Sequence, residues 1–215
     1  MKTRLTRPLT QALASIAFAL VATLSVVNSA AAAGYQTLSP PINTSTGDQV
    51  EVLEFFWLGC PHCYALEPKM EAWVENKPEH ATFVREAPPL NPSWEPHSRG
   101  FYAAQIMGIE NEFVHAMFTA IHEDKKRMRK PDDIAELAAT LGVDEKKFLS
   151  TMKSFAVNTK IGRSMQLAKS AGLTGVPFVM INGKYTTSGS IAGSHEGMIR
   201  AIEETVELEH KAAGS

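Results

Sequence analysis

Between Gln49 and Trp57 the chain reads QVEVLEFFW, a run of Val, Leu, Phe and Trp broken only by Glu51 and Glu54. Such near-continuous apolar character predicts a central buried strand, and Gly59 ends it. The period then changes. Leu66, Met70, Trp73 and Val74 recur at helical spacing, with Pro61 placed for the first turn, where its missing N–H costs nothing. Pro68 falls inside the same helix and is expected to kink it. ATFVREA (81–87) reads as a second strand, with Pro88-Pro89 as its rigid exit.

From about Trp94 to Gly172 the pattern is helical throughout. GFYAAQIMG, NEFVHAMFTAIHE, PDDIAELAATLG, DEKKFLSTMKSF and KIGRSMQLAKSAG each carry an apolar stripe. Gly108, Gly142 and Gly172 are expected stops and Asp144 an N-cap. The basic run KKRMRK (125–130) reads as a solvated helix end, and Met107, Met117, Met152 and Met165 read as core. Strand character returns in PFVMING and KYTTSG, and the Asn182-Gly183 pair between them is a two-residue hairpin signal. A last helix, SHEGMIRAIEETVELEH, buries Met198, Ile202 and Val206. The order predicts an α/β core interrupted by a large helical insertion. The expected boundaries are 34–92 and 173–215 for the core and 93–172 for the insertion.

The segment ahead of that core follows a different logic. Lys2, Arg4 and Arg7 precede the 16-residue apolar run ALASIAFALVATLSVV, and small residues follow in NSAAAAG. Basic head, apolar middle and small-residue tail predict a cleavable export signal over 1–33, cut between Ala30 and Gly34. An uncleaved anchor is the alternative, although the run is shorter than the roughly 20 residues a spanning helix needs. Loss of the three basic residues takes the formal charge from −2 to −5. Neither value gives reason to expect nucleic acid or anionic lipid as a partner.

Export sharpens the meaning of the only two cysteines, Cys60 and Cys63, in GCPHC. A loop this short staples little of a core. Zinc normally takes four ligands, and there is no second CxxC. Metal binding and stapling are therefore the weaker readings, and redox chemistry is the stronger. Cys60 falls where the strand becomes the helix N-terminus, so unpaired N–H groups and the helix dipole can hold its thiolate. His62 adds a ring donor within the same turn. Cys63, a turn deeper, is expected to be more buried and less ionised, and so to act as the resolving partner. Whatever holds the Cys60 thiolate also stabilises the reduced protein, which with export points to an oxidant. His80, His97, His115, His122, His195 and His210 read as surface or cap residues and are assigned no role.

These motifs resemble the thioredoxin superfamily and, within it, the periplasmic thiol:disulfide oxidoreductases of the DsbA type. The match rests on CPHC after a buried strand, the acid in VLEFF, the GVPFVMINGKY segment and a helical insertion of the right size. It spans roughly Gln36 to His210, and Trp57-Leu58-Gly59 ahead of the motif is a departure. The resemblance implies a thioredoxin-like fold with a large helical insertion. It favours Glu54 as a buried carboxylate exchanging protons with Cys63, over an edge position with its carboxylate in water. It also favours a cis Val176-Pro177 bond, over an ordinary trans proline at a strand start, in a loop facing the cysteines. Val176 would then offer backbone groups to an extended substrate chain.

The activity so implied is that of a dithiol oxidase, whose only redox group is its own Cys60–Cys63 disulfide. Its partners would be unfolded exported proteins with free cysteines and a quinone-linked membrane reoxidant resembling DsbB. The alternatives are a disulfide isomerase or reductant, and a non-catalytic binding protein or metal chaperone on the same scaffold. Only about a dozen residues separate the signal from the first long strand, so a monomer is expected.

Overall fold

The computed structural model describes residues 34–214; the signal assigned to 1–33 lies outside them. The predicted central strand is β2 (Val50–Phe55), every residue of which is buried. The sheet order is β1-β5-β4-β2-β3, with β1 (Gln36–Thr37), β3 (Ala81–Glu86), β4 (Phe178–Ile181) and β5 (Tyr185–Ser188). β2 runs parallel to β3 and antiparallel to β4. The parallel pair needs a crossover, supplied by α1 (Pro61–Asn76). The two-residue β1, on the far edge against β5, is too short to show any periodicity and was not expected.

Side-chain alternation along β2 divides the core. Val50 and Val52 face Leu66, Met70 and Trp73 of α1, together with Met198, Ile202 and Val206 of α8 (His195–Ala213). Leu53 and Phe55 face the opposite way, against Ala168 near the end of α6 (Phe155–Ser170) and Ala171 just beyond it. Glu54 shares a face with Val50 and Val52, the face on which α1 lies. Its neighbour Glu51 is also buried and accepts hydrogen bonds from the backbone N and Oγ of Ser45, at 2.8 and 2.6 Å.

The insertion consists of α2 (Glu95–Met107), α3 (Glu110–Phe118), a π-turn (Thr119–Glu123), α4 (Pro131–Ala139), α5 (Glu145–Met152) and α6. Its core gathers Phe101, Tyr102, Phe113, Met117, Ile134, Phe148 and Met152, and extends to Phe56, Leu58, Cys60 and Cys63. The two cysteines thus sit on the seam between the sheet unit and the insertion. Asp144 caps α5 by accepting from Lys147 N at 2.7 Å. Gly108 closes α2 at φ 74°. At the hairpin, Asn182 and Gly183 both take left-handed φ, 49° and 65°, as the turn requires; α7 (Gly189–Ala192) follows β5.

Two expectations are corrected. The run 125–130 is a connection between the π-turn and α4 rather than a helix end, with Lys125 and Met128 at positive φ and Met128 buried. Met165 is 39% exposed on α6, because the buried stripe of that helix runs through Val157, Ser164 and Ala168 and Met165 lies one position off it. Pro68 lies within α1, where the sequence placed it, and the helix runs on to Asn76.

Candidate functional site

Cys60 is the N-cap of α1, at φ −85° and ψ 118°, and Pro61 takes the first helical position. The Cys60 N–H donates to the Trp57 carbonyl at 2.9 Å, closing a tight turn. Its sulfur accepts from the Cys63 backbone N–H at 3.4 Å. On the other side the thiol reaches the Val176 carbonyl at 3.5 Å. The Val176-Pro177 bond is cis. Sequence reasoning expected this loop beside the cysteines, and the fold brings it there.

The two sulfurs, both free thiols, differ sharply. Cys60 is held at a pKa of about 6, against an ordinary 9.0. The main cause is a hydrogen bond from the Cys63 thiol. Burial opposes it, while the backbone N–H groups of Cys63 and His62 and the nearby His62 ring lower it further. Cys63 is 1% exposed. Burial pushes its thiol well above the usual range, with the bond to Cys60 and the charge of Glu54 acting the same way. This is one turn of helix producing an ionised sulfur and a protonated one.

Glu54, 1% exposed, is not in water, and it is not alone. Arg85 Nε lies 3.3 Å from its carboxylate, and the other arm of that guanidinium binds Glu67. Burial raises the pKa of Glu54 against the pull of Arg85. Burial likewise lifts Glu67 to about 7, opposed by Arg85 and reinforced by Glu54 and Glu71. The Arg85 cation also lies over the Phe83 ring, 5.0 Å from its centroid. His62 is exposed and faces His195, with ring centroids 6.4 Å apart. Both line an open groove of about 860 Å³ that includes Thr174, Val176, Pro177 and Ser190. Among the described residues no group of three or more His, Cys, Asp or Glu side chains could hold a metal ion.

The pairing of an ionised N-cap sulfur, a buried partner thiol and a facing proline loop has counterparts. Residues 51–195 match the model of the DSBA-like thioredoxin domain. The chain is 38% identical over 179 residues to the thiol:disulfide interchange protein DsbA of Pseudomonas aeruginosa, covering 83% of this chain and 85% of that one. It is 39% identical over 163 residues to the DsbA of Burkholderia cepacia, covering 76% of each. The crystal structure of Pseudomonas aeruginosa DsbA superposes with a TM-score of 0.80 at 37% identity, over 85% of this chain and 95% of that one.

The chain belongs to the DsbA-like thioredoxin family. It is a thiol:disulfide oxidoreductase, and its site fits the disulfide-donating role of that family. The DsbA-like frame shows which residues sequence reasoning missed. Arg85 stands opposite Glu54 in the parallel β2–β3 register, and each is the fifth residue of its strand. Aligning the two strands position by position would have paired them. Glu67 follows Cys63 by four residues, hence on the same helix face. His97 and His122 were assigned nothing, yet His97 is buried and bonds the Met128 carbonyl at 2.7 Å. His122 bonds the Leu58 carbonyl. No local pattern marks either, since their partners lie 31 and 64 residues away.

Proposed function

We propose that this protein oxidises exported proteins in the periplasm, passing them the Cys60–Cys63 disulfide through a mixed disulfide at Cys60. The observation that carries the reading is the contrast between Cys60, ionised from a pKa of about 6, and Cys63, kept protonated. A substrate thiolate attacks Cys60 Sγ, the Cys60–Cys63 bond breaks, and the electron pair leaves on Cys63. That sulfur then takes up a proton, because its buried setting disfavours the thiolate. A second substrate thiolate attacks the substrate sulfur of the mixed disulfide and expels Cys60. The low pKa of Cys60 makes it a good leaving group. The substrate has lost two electrons to a new disulfide, and the protein holds them as a dithiol.

Glu54 lies beneath α1 within electrostatic reach of Cys63, and we assign it the proton exchange that accompanies opening and closing of the disulfide. Pro61 starts the helix without an N–H to satisfy, and His62 adds donor and charge to the Cys60 thiolate. The Val176 carbonyl, 3.5 Å from Cys60 Sγ, and Pro177 form the edge along which an extended substrate chain pairs. The periplasmic assignment rests on the basic, apolar and small-residue pattern of 1–33. Reoxidation is assigned to a quinone-linked membrane protein of the DsbB kind, and the working state to a monomer.

The deciding experiment mixes the oxidised protein with a two-cysteine peptide and follows the peptide disulfide, beside the reduction potential of Cys60–Cys63 in a glutathione buffer. Rapid stoichiometric peptide oxidation, with a potential more oxidising than glutathione, is expected. A potential as reducing as that of thioredoxin would make the protein a reductant.

A further inference from the structure

The turn that delivers Cys60 is Trp57-Leu58-Gly59, and the insertion holds it at Trp57 and Leu58. The Trp57 ring stacks on Trp94 at 4.4 Å and 5° and lies 5.8 Å from the His97 ring. The Leu58 side chain is buried in the insertion core. Gly59 runs so close beneath the Trp57 ring that a Cβ there would collide with it. The Leu58 carbonyl, one peptide ahead of Gly59-Cys60, is paired with His122 Nε2 at 2.8 Å. A carbonyl oxygen only accepts, so Nε2 carries the hydrogen, and it does so in the neutral Nε2–H form and in the imidazolium alike.

The His122 ring has little freedom to leave. It lies flat on Tyr64 of α1, 4.7 Å between centroids and 7° between planes, with Phe118 5.7 Å away. Tyr64 in turn donates to Glu123 at 2.8 Å. His122 reaches this position from the π-turn, where Asp124 N bonds Thr119 O at 3.0 Å. Such a widened turn re-aims side chains that a continuous α-helix would place elsewhere.

We propose that His122 is a positioning residue for Cys60. By donating to the Leu58 carbonyl it fixes the turn so that Cys60 Sγ stays above the Cys63 N–H. That contact is already long at 3.4 Å, and a small rotation of the turn loses it. The insertion therefore tunes the reactive sulfur through one hydrogen bond as well as covering it. The inference rests on Cys60 being the reacting sulfur.

The test is the pH dependence of Cys60 alkylation by iodoacetamide in the reduced full-length mature protein. His122→Phe keeps the stack on Tyr64 but removes the donor, and the alkylation midpoint should rise by at least half a pH unit, cutting the rate at pH 5.5 about threefold. His122→Gln can still present an N–H to Leu58 and should return towards wild type, whereas the shorter His122→Asn should not. If His122→Phe fails to fold, the Gln and Asn pair decides. Tyr64→Phe breaks the bond to Glu123 while leaving the ring under His122, and should leave the midpoint in place. The proposal is overturned if Phe and Asn variants keep the wild-type midpoint, if Gln shifts as far as Phe, or if Tyr64→Phe shifts equally. A wild-type Cys60 with no midpoint below 8 would instead overturn the reading of Cys60 itself.

Discussion

Two thiols three positions apart share a helix turn, a backbone and a compartment, yet the fold treats them oppositely. Cys60 collects donors, the Cys63 thiol and the backbone N–H groups of Cys63 and His62, with the His62 ring acting on it electrostatically. Cys63 loses water and gains a carboxylate neighbour. Cys60 should therefore be alkylated with a midpoint near pH 6, and Cys63 hardly at all at neutral pH. Cys63→Ser should retain the reactive sulfur and accumulate mixed disulfides on non-reducing gels, while Cys60→Ser accumulates none. Equal labelling of both thiols in the reduced protein would contradict the assignment. Glu54 acts on the same pair from below. Its charge helps hold the Cys63 pKa up, so Glu54→Gln in a Cys60→Ser background should let Cys63 ionise at lower pH. An unchanged Cys63 labelling profile would leave Glu54 a structural partner of Arg85 alone.

At the scale of elements, the β2–β3 pairing decides how two buried acids are tolerated. The parallel register sets Arg85 beside Glu54, and the α1 crossover brings Glu67 to the other arm of the guanidinium. Removing one member of a buried ionic group typically costs about 3–5 kcal/mol, because the partners remain buried and unpaired. Arg85→Met should lose stability on that order. Its pH dependence has a definite sign. Without the cation both carboxylates keep folded pKa values above their unfolded ones, so stability is present below about 4.5 and is lost as pH rises through the folded values. Urea midpoints of Arg85→Met should thus fall further below wild type at pH 8 than at pH 5, and a pH-independent deficit would contradict this. The hairpin is a simpler case. Gly183 combines φ 65° with the Ile42 carbonyl where a Cβ would lie. Gly183→Ala should cost at least about 1–2 kcal/mol in urea unfolding, without moving the Cys60 alkylation midpoint.

For the whole molecule, redox state and stability are linked. Cys60 has a folded pKa of about 6 against an ordinary 9.0. A lowered folded value stabilises the reduced protein fully above pH 9, and the contribution is lost as pH falls through 6. At 1.36 kcal/mol per pKa unit, the reduced form should gain roughly 2.5–3 kcal/mol on the oxidised form between pH 5 and pH 8. Groups common to both forms cancel in that difference. Urea midpoints of the two forms at both pH values measure it, and a constant difference would mean that the Cys60 thiolate is not stabilised by the fold.

What the sequence by itself determined is what neighbouring residues decide. The buried strand, the helix opening at Cys60-Pro61, the cap at Asp144 and the Asn182-Gly183 hairpin all follow from local period, cap chemistry and turn chemistry, and the structure carries each of them. The stretch 125–130 misled because charge predicts exposure, while Met128 in its midst is buried. Tertiary structure decided which distant groups meet, and of these encounters the resemblance anticipated only the Val176 loop beside the cysteines. Cys60 touches a carbonyl 116 residues away, and His122 grips one 64 residues away. Register and packing set those encounters, and neither leaves a repeating mark along the chain. The sequence could therefore supply a nucleophile on a helix end, but the Arg85 bridge and the His122 clamp exist only once the sheet has paired and the insertion has closed over it.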